Sequence, residues 1–253
     1  MQMPPGVEPN TVVIAIAIVL AAAVVKGTTG FGFSLVSTPL LLLFWEPKVL
    51  VPIFLPLSII ADVLIVAQTW RRVEWMKVLP LITAGIAGVP VGVYLLTTVP
   101  TDLLKLMVSG IAMSMAILML MGITIAISRE KLASVITGFV SGVLSTSTTM
   151  SGPPVALLMI NQRWEKETFR ACLAMFFLVI QITGILYLTI LGNITPSTLT
   201  VSIALWPSVI VGNLIAIKIL SRLPQSTFIR IATVLVMVTA TVVIVETALN
   251  FNI

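Results

Sequence analysis

The chain has 253 residues, 58 % hydrophobic and only 9 % charged, with a mean hydropathy of +1.18 and a net charge of +5. A soluble domain carries roughly 25 % charged residues, so this is the composition of an all-α integral membrane protein, and the positive balance reports loops on one membrane face, with no nucleic-acid partner. With no histidine and a single cysteine, Cys172, the chain has no material for a His/Cys metal site, a disulfide framework or a histidine-based triad; no catalytic residue, metal or cofactor is expected.

The first ten residues carry Glu8 and no Lys or Arg, so the apolar run that follows lacks the basic flank of a secretory signal. They read as a retained, non-cytoplasmic tail. From Thr11 the apolar run leads into KGTTGFGFSLVSTP (26–39), dense in Gly, Ser and Thr, and apolar sequence restarts at Pro39. The first arm, Thr11 to Lys26, is 16 residues, about 24 Å as helix, and the second, Pro39 to Trp45, only about 10 Å. A pair of that kind is expected to enter and return on one side, as a re-entrant element. Spans of about the 20 residues needed to cross a bilayer follow at 49–69, 78–98 and 103–123. The pattern then repeats: Leu132 to Gly142 descends, GVLSTSTTMSGPP (142–154) breaks the run, Pro153 to Asn161 returns, and spans follow at 168–190, 199–220 and 227–249. Gly27 and Pro39 are twelve residues apart, as are Gly142 and Pro154.

Charge orders these segments across the membrane. Arg71, Arg72, Lys77, Arg129, Lys131, Arg163, Lys166, Arg170, Lys218, Arg222 and Arg230 can all lie on one side, which places 11 of the 14 basic residues there, as cytoplasmic loops require. Each half then has a re-entrant broken-helix pair plus three transmembrane helices. An odd number of crossings inverts the second half and leaves both termini non-cytoplasmic. Trp45, Trp70, Trp75 and Trp164 fall near span ends, where interfacial aromatics belong. Trp45-Glu46 returns 119 residues later as Trp164-Glu165, and at that offset Asp62 meets Gln181. Pro80 and Gly85 are matched with Pro207 and Gly212, and Pro100 with Pro224. The expected organisation is two inverted repeats, 1–127 and 128–253, forming one membrane domain, an architecture of transporters that bind at discontinuous helices near the midplane.

Irregular backbone at membrane depth survives only where protein or a wet cavity satisfies its polar groups, so the breaks are expected to line a cavity. Pro39 and Pro153 or Pro154 suit a first helical turn that Thr38 and Ser151 would cap. Each returning half-helix would then aim its N-terminal N–H groups at the midplane, a setting for a small oxyanion. The candidate substrate residues are Lys26, Gly27, Thr28, Thr29, Gly30, Phe31, Gly32 and Thr38 in the first break, and Ser145, Thr146, Ser147, Thr148, Thr149, Ser151 and Gly152 in the second. Lys26, the one basic residue expected at a break, is either countercharge to an anion or a structural cation that snorkels or pairs with a carboxylate. Asp62 has three readings: protonated, paired with Lys26, or engaged in proton coupling; Gln181 would make polar contacts in the cavity or to a neighbouring helix. The glycines and prolines at 80–92 are either a bend or packing positions, and the methionines from 113 to 121 are packing.

TGFGFSLVSTPLL (29–41), SGPPVALLMINQ (151–162) and FRACLAMFFL (169–178), distributed over two halves of one chain, resemble the sulfite exporter TauE/SafE family of membrane permeases. The resemblance implies a bacterial inner-membrane transporter of small sulfur-containing or organosulfonate anions such as sulfite or sulfoacetate. Many relatives carry a run of glycines where this chain has Ser145 to Ser151. No GxxxxGK[ST] occurs, so transport would draw on an ion gradient or the anion's own gradient. The expected partners are a small anionic substrate and the lipid bilayer; nothing in the sequence sets an oligomeric state. The alternatives are a passive anion channel and a membrane scaffold or enzyme without flux.

Overall fold

The computed structural model describes residues 4–121 and 130–219, together with positions 237, 241, 244, 245 and 247. Among the described residues the regular structure is helical: α1 (Pro9–Thr29), α2 (Phe33–Leu41), α3 (Pro47–Thr69), α4 (Trp75–Thr98), α5 (Thr101–Met121), α6 (Glu130–Thr148), α7 (Gly152–Asn161), α8 (Lys166–Ile190) and α9 (Pro196–Ile219). Among the described residues, five segments are long and apolar enough to cross a membrane: Pro9–Thr29, Pro47–Arg72, Trp75–Thr98, Lys166–Ile190 and Pro196–Ala216. The chain is therefore a multi-pass membrane protein. The spans expected at 49–69, 78–98, 103–123, 168–190 and 199–220 fall on α3, α4, α5, α8 and α9. The one at 227–249 lies largely outside the described residues, as do Pro224 and the boundary between 127 and 128.

The broken elements differ from expectation in where they break. α1 does not stop at Lys26 but runs 21 residues to Thr29, about 31 Å, and α6 likewise continues to Thr148. The reason lies in the hydroxyls. Thr28 Oγ1 donates to the Val24 and Val25 carbonyls at 3.0 and 2.8 Å, and Thr29 Oγ1 to the Val25 carbonyl at 2.9 Å, so a Gly/Thr-rich run that reads as irregular backbone is helix with its side chains folded back on it. The real interruption is Gly30-Phe31-Gly32, where both glycines take positive φ (+85° and +92°). The Gly30 N–H closes α1 on the Lys26 carbonyl at 2.7 Å, a left-handed helix end that glycine adopts without steric penalty.

α2 therefore starts at Phe33. Pro39 lies inside it, with Gly32 at its N-cap position, and the expected caps from Thr38 and Ser151 are not made. Pro153 does occupy the first turn of α7.

The second break is built with the same bonds 119 residues on. Ser147 Oγ donates to the Val143 carbonyl (2.8 Å), Thr148 Oγ1 to the Leu144 carbonyl (2.9 Å), and the Met150 N–H to Thr148 Oγ1 (3.4 Å), the last repeating the bond from the Phe31 N–H to Thr29 Oγ1 (3.3 Å). Where Gly30 turns left-handed, so does Thr149, with φ +64°, a strained conformation for a β-branched residue.

Helix packing exchanges partners between the halves. α1 packs along α9 and α6 along α4, while α3 and α8 pack on each other, α3 also against α9 and α8 also against α4. One apolar core gathers residues of α1, α2, α3, α5 and α9, the other residues of α3, α4, α5, α7 and α8; Met150 of the second break sits in the first core and Phe31 of the first break in the second.

Small residues permit the closest approaches. A Cβ on Gly88 would collide with the Phe139 carbonyl oxygen and meet the Val143 nitrogen, and one on Gly212 would meet the Leu20 carbonyl oxygen and Val24 nitrogen. These are environments 119 residues apart, so the packing counterpart of Gly212 is Gly88, not the Gly85 that proline spacing suggests. Gly85, Gly88 and Gly92 serve backbone contact with α6, and α4 runs unbroken through them.

Trp45 lies near a span end as expected, two residues before α3. It is buried, with Nε1 donating to Thr11 Oγ1 at 2.9 Å, whereas Trp70 and Trp75 are exposed. Met113 packs on the first core as expected of filler.

Candidate functional site

The two breaks meet at a small, partly open cavity lined by Lys26, Phe31, Gly32, Phe33, Ser34, Ser58, Thr149, Ser151, Gly152, Phe177 and Gln181. Both short helices begin here: Gly32, Phe33 and Ser34 open α2, and Ser151 and Gly152 open α7. No side chain caps either one. First-turn N–H groups of a helix have no partner within it, so two uncapped N-termini converge on one small space.

Lys26 is 2 % exposed and its Nζ lies 2.8 Å from Asp62 Oδ1 on α3. Asp62 is fully buried and stands behind Lys26, off the cavity wall. The Phe33 and Phe177 rings flank the ammonium, 5.7 and 5.6 Å from Nζ to their centroids, within cation–π range. Gln181 on α8 lines the cavity; its Oε1 and the Asp62 oxygens have no hydrogen-bond partner beyond the Lys26 ion pair. Of the readings open for Lys26 and Asp62, the structure places them as a pair.

The remaining candidate residues divide by where their side chains go. Phe31, Gly32, Thr149, Ser151 and Gly152 line the cavity. Gly27, Thr28, Thr29, Gly30, Thr38, Ser145, Thr146, Ser147 and Thr148 are buried nearby but do not. The hydroxyls of Thr28, Thr29, Ser147 and Thr148 bond back within their own helices. Thr146 Oγ1 donates across to the Val89 carbonyl of α4 at 3.1 Å, and Thr38 and Thr149 share a hydroxyl–hydroxyl bond of 2.5 Å that ties α2 to the second break.

Sequence reasoning placed Lys26 alone among cations at a break; Arg170, assigned to a cytoplasmic connection, reaches it too. Arg170 Nη2 donates to the Gly27 carbonyl at 3.1 Å, and a Cβ on Gly30 would stand 3.2 Å from Arg170 Cγ. A cation beside the last carbonyls of α1 is favoured by the helix dipole. Ser58 and Phe177 also line the cavity, and their signal in sequence was helical spacing: Ser58 lies four residues before Asp62, and Phe177 four before Gln181.

Among the described residues no group of three or more His, Cys, Asp or Glu side chains is placed to hold a metal. A family profile described as sulfite exporter TauE/SafE matches residues 14–243. Neither the curated proteins nor the solved structures gave a match.

Proposed function

The chain belongs to the sulfite exporter TauE/SafE family, whose profile matches residues 14–243, and from that membership we propose that it is a secondary transporter, in the export direction, of small sulfur-containing or organosulfonate anions. Members of this family are membrane transporters of sulfite-type anions, not enzymes. The observation that carries the site assignment is the cavity where two uncapped helix N-termini and Lys26 converge. Backbone donors at helix ends, a buried cation and hydroxyls at Ser34, Ser58 and Ser151 supply what an oxyanion needs.

The two-repeat reading is supported by hydrogen bonds that recur 119 residues apart and by partner exchange between α1–α9 and α6–α4. We take the repeats as inverted, the site as lying near the midplane, and transport as alternating access around it, in the inner membrane of a bacterium with both termini non-cytoplasmic.

Counterflow in proteoliposomes tests this. Vesicles loaded with sulfite, thiosulfate, sulfoacetate, taurine or sulfate are offered the same labelled compound outside. Saturable exchange of a sulfur anion is the expected result; conductance without exchange marks a channel, and silence across the panel removes the transport assignment.

A further inference from the structure

Charge balance in the cavity ties anion binding to a proton. Lys26 is the one cation on the cavity wall, and its partner Asp62 cancels it at 2.8 Å. An anion that docks against the Lys26 ammonium with Asp62 ionised puts two negative charges on one cation whose own burial, like that of Asp62, is nearly complete. Screening by solvent is weak at such a site. Arg170, the second cation at the first break, is held on the Gly27 carbonyl at 3.1 Å and is not on the cavity wall. α3 is packed by α1, α2, α4, α5, α6, α8 and α9. Among the described residues of these helices, Lys26 from α1 and the neutral amide of Gln181 from α8 are the groups that face the carboxylate. α2 carries no charged residue, and the others hold theirs near their ends: Lys77 on α4, Asp102 and Lys105 on α5, Glu130 and Lys131 on α6, Lys166, Glu167 and Arg170 on α8, and Lys218 on α9. Ser58, one turn before Asp62, and Gln181 both line the cavity.

We propose that the substrate anion and a proton bind together: the proton converts the Asp62 carboxylate to a neutral carboxyl, Lys26 exchanges that carboxylate for the anion as its counterion, and both leave on the other side. The Phe33 and Phe177 rings hold the ammonium through the exchange. One proton moves with each anion, and no redox or covalent step is involved. The inference rests on the transport reading given above.

The test uses the full chain in proteoliposomes with sulfoacetate and thiosulfate, whose own charge is constant between about pH 6 and 8, a trapped pH dye, and the membrane potential clamped at zero. One proton per anion predicts an accumulation of about tenfold for each unit of inward pH gradient, with acidification of the lumen when anion enters. Asp62→Asn, neutral at every pH, is expected to collapse that gradient to unity and to flatten the pH dependence of counterflow; Asp62→Glu restores both. Counterflow without proton movement or pH-driven accumulation in the unaltered protein overturns the coupling and leaves the carrier assignment standing. Absence of counterflow for both anions overturns the two together. The unaltered protein decides the matter even where a variant does not fold.

Discussion

Removing Lys26 should hurt stability more than removing Asp62, although the two form one ion pair. Each is buried in the bilayer-spanning body of the protein, and breaking a buried pair by deleting one partner costs about 3–5 kcal/mol because the other charge is stranded. The stranded groups are not equivalent. After Asp62→Asn the ammonium keeps two aromatic faces at 5.7 and 5.6 Å, each contributing about 0.5 kcal/mol at exposed sites to about 2 when desolvated. After Lys26→Met the Asp62 carboxylate keeps no hydrogen bond among the described residues, and the ring contacts are lost as well. Lys26→Met should thus fall in the upper part of the 3–5 kcal/mol range and Asp62→Asn at or below its lower end. The double variant Lys26→Met/Asp62→Asn, with no stranded charge, should recover to within about 1 kcal/mol of the parent. Reversible unfolding in mixed micelles, read as a double-mutant cycle, measures all three. Additive losses, or an Asp62→Asn loss exceeding that of Lys26→Met, would refute the arrangement of charge and rings described here.

The other predictions concern packing, the break and access. Gly142→Ala places a methyl against the Gly85 carbonyl and should destabilise by about 1–3 kcal/mol, whereas Gly110→Ala, with nothing within 4 Å of the added carbon, should stabilise by about 0.5–1 kcal/mol through helix propensity; thermal scans of the two variants should move in opposite directions. Gly30→Ala should cost about 1–2 kcal/mol for a side chain in left-handed backbone, seen as a lowered unfolding midpoint. In a Cys172→Ala background, a cysteine at Ser34, which lines the cavity and is partly exposed, should react with a small charged thiol reagent and be protected by sulfoacetate. A cysteine at Thr28, whose side chain turns onto its own helix, should stay unreacted; equal labelling at both positions would contradict the geometry of the break.

Span positions and the doubling of the chain were legible because hydropathy and repeated residues are local properties: Trp45-Glu46 and Trp164-Glu165 precede α3 and α8 at the same offset. Helix ends within the breaks were not. Composition marks Gly27 to Pro39 as irregular, but hydroxyl back-bonding at Thr28 and Thr29 extends the helix, and only the φ of Gly30 and Gly32 ends it. The same effect thinned the candidate site, since a serine or threonine near a break points to a ligand only if its own helix has not claimed it. The reach of Arg170 to the Gly27 carbonyl depends on tertiary packing across 143 residues of sequence, which no local pattern encodes. Lys26 and Asp62 stood out because charge is rare in such a chain, and rarity found them a common partner.

The pairing of α1 with α9 and of α6 with α4 means that neither half of the chain is a mechanical unit. Each broken helix is clasped, backbone to backbone, by a helix belonging to the other half, so a hinge between residues 1–127 and 128–253 would tear both clasps. The packing groups α1 and α2 with α9, and α6 and α7 with α4, with α3 and α8 in contact with each other. Asp62 on α3 and Gln181 on α8 therefore sit on the two helices that join these groupings, so the alternating access proposed above would act on the surface that carries the charge pair.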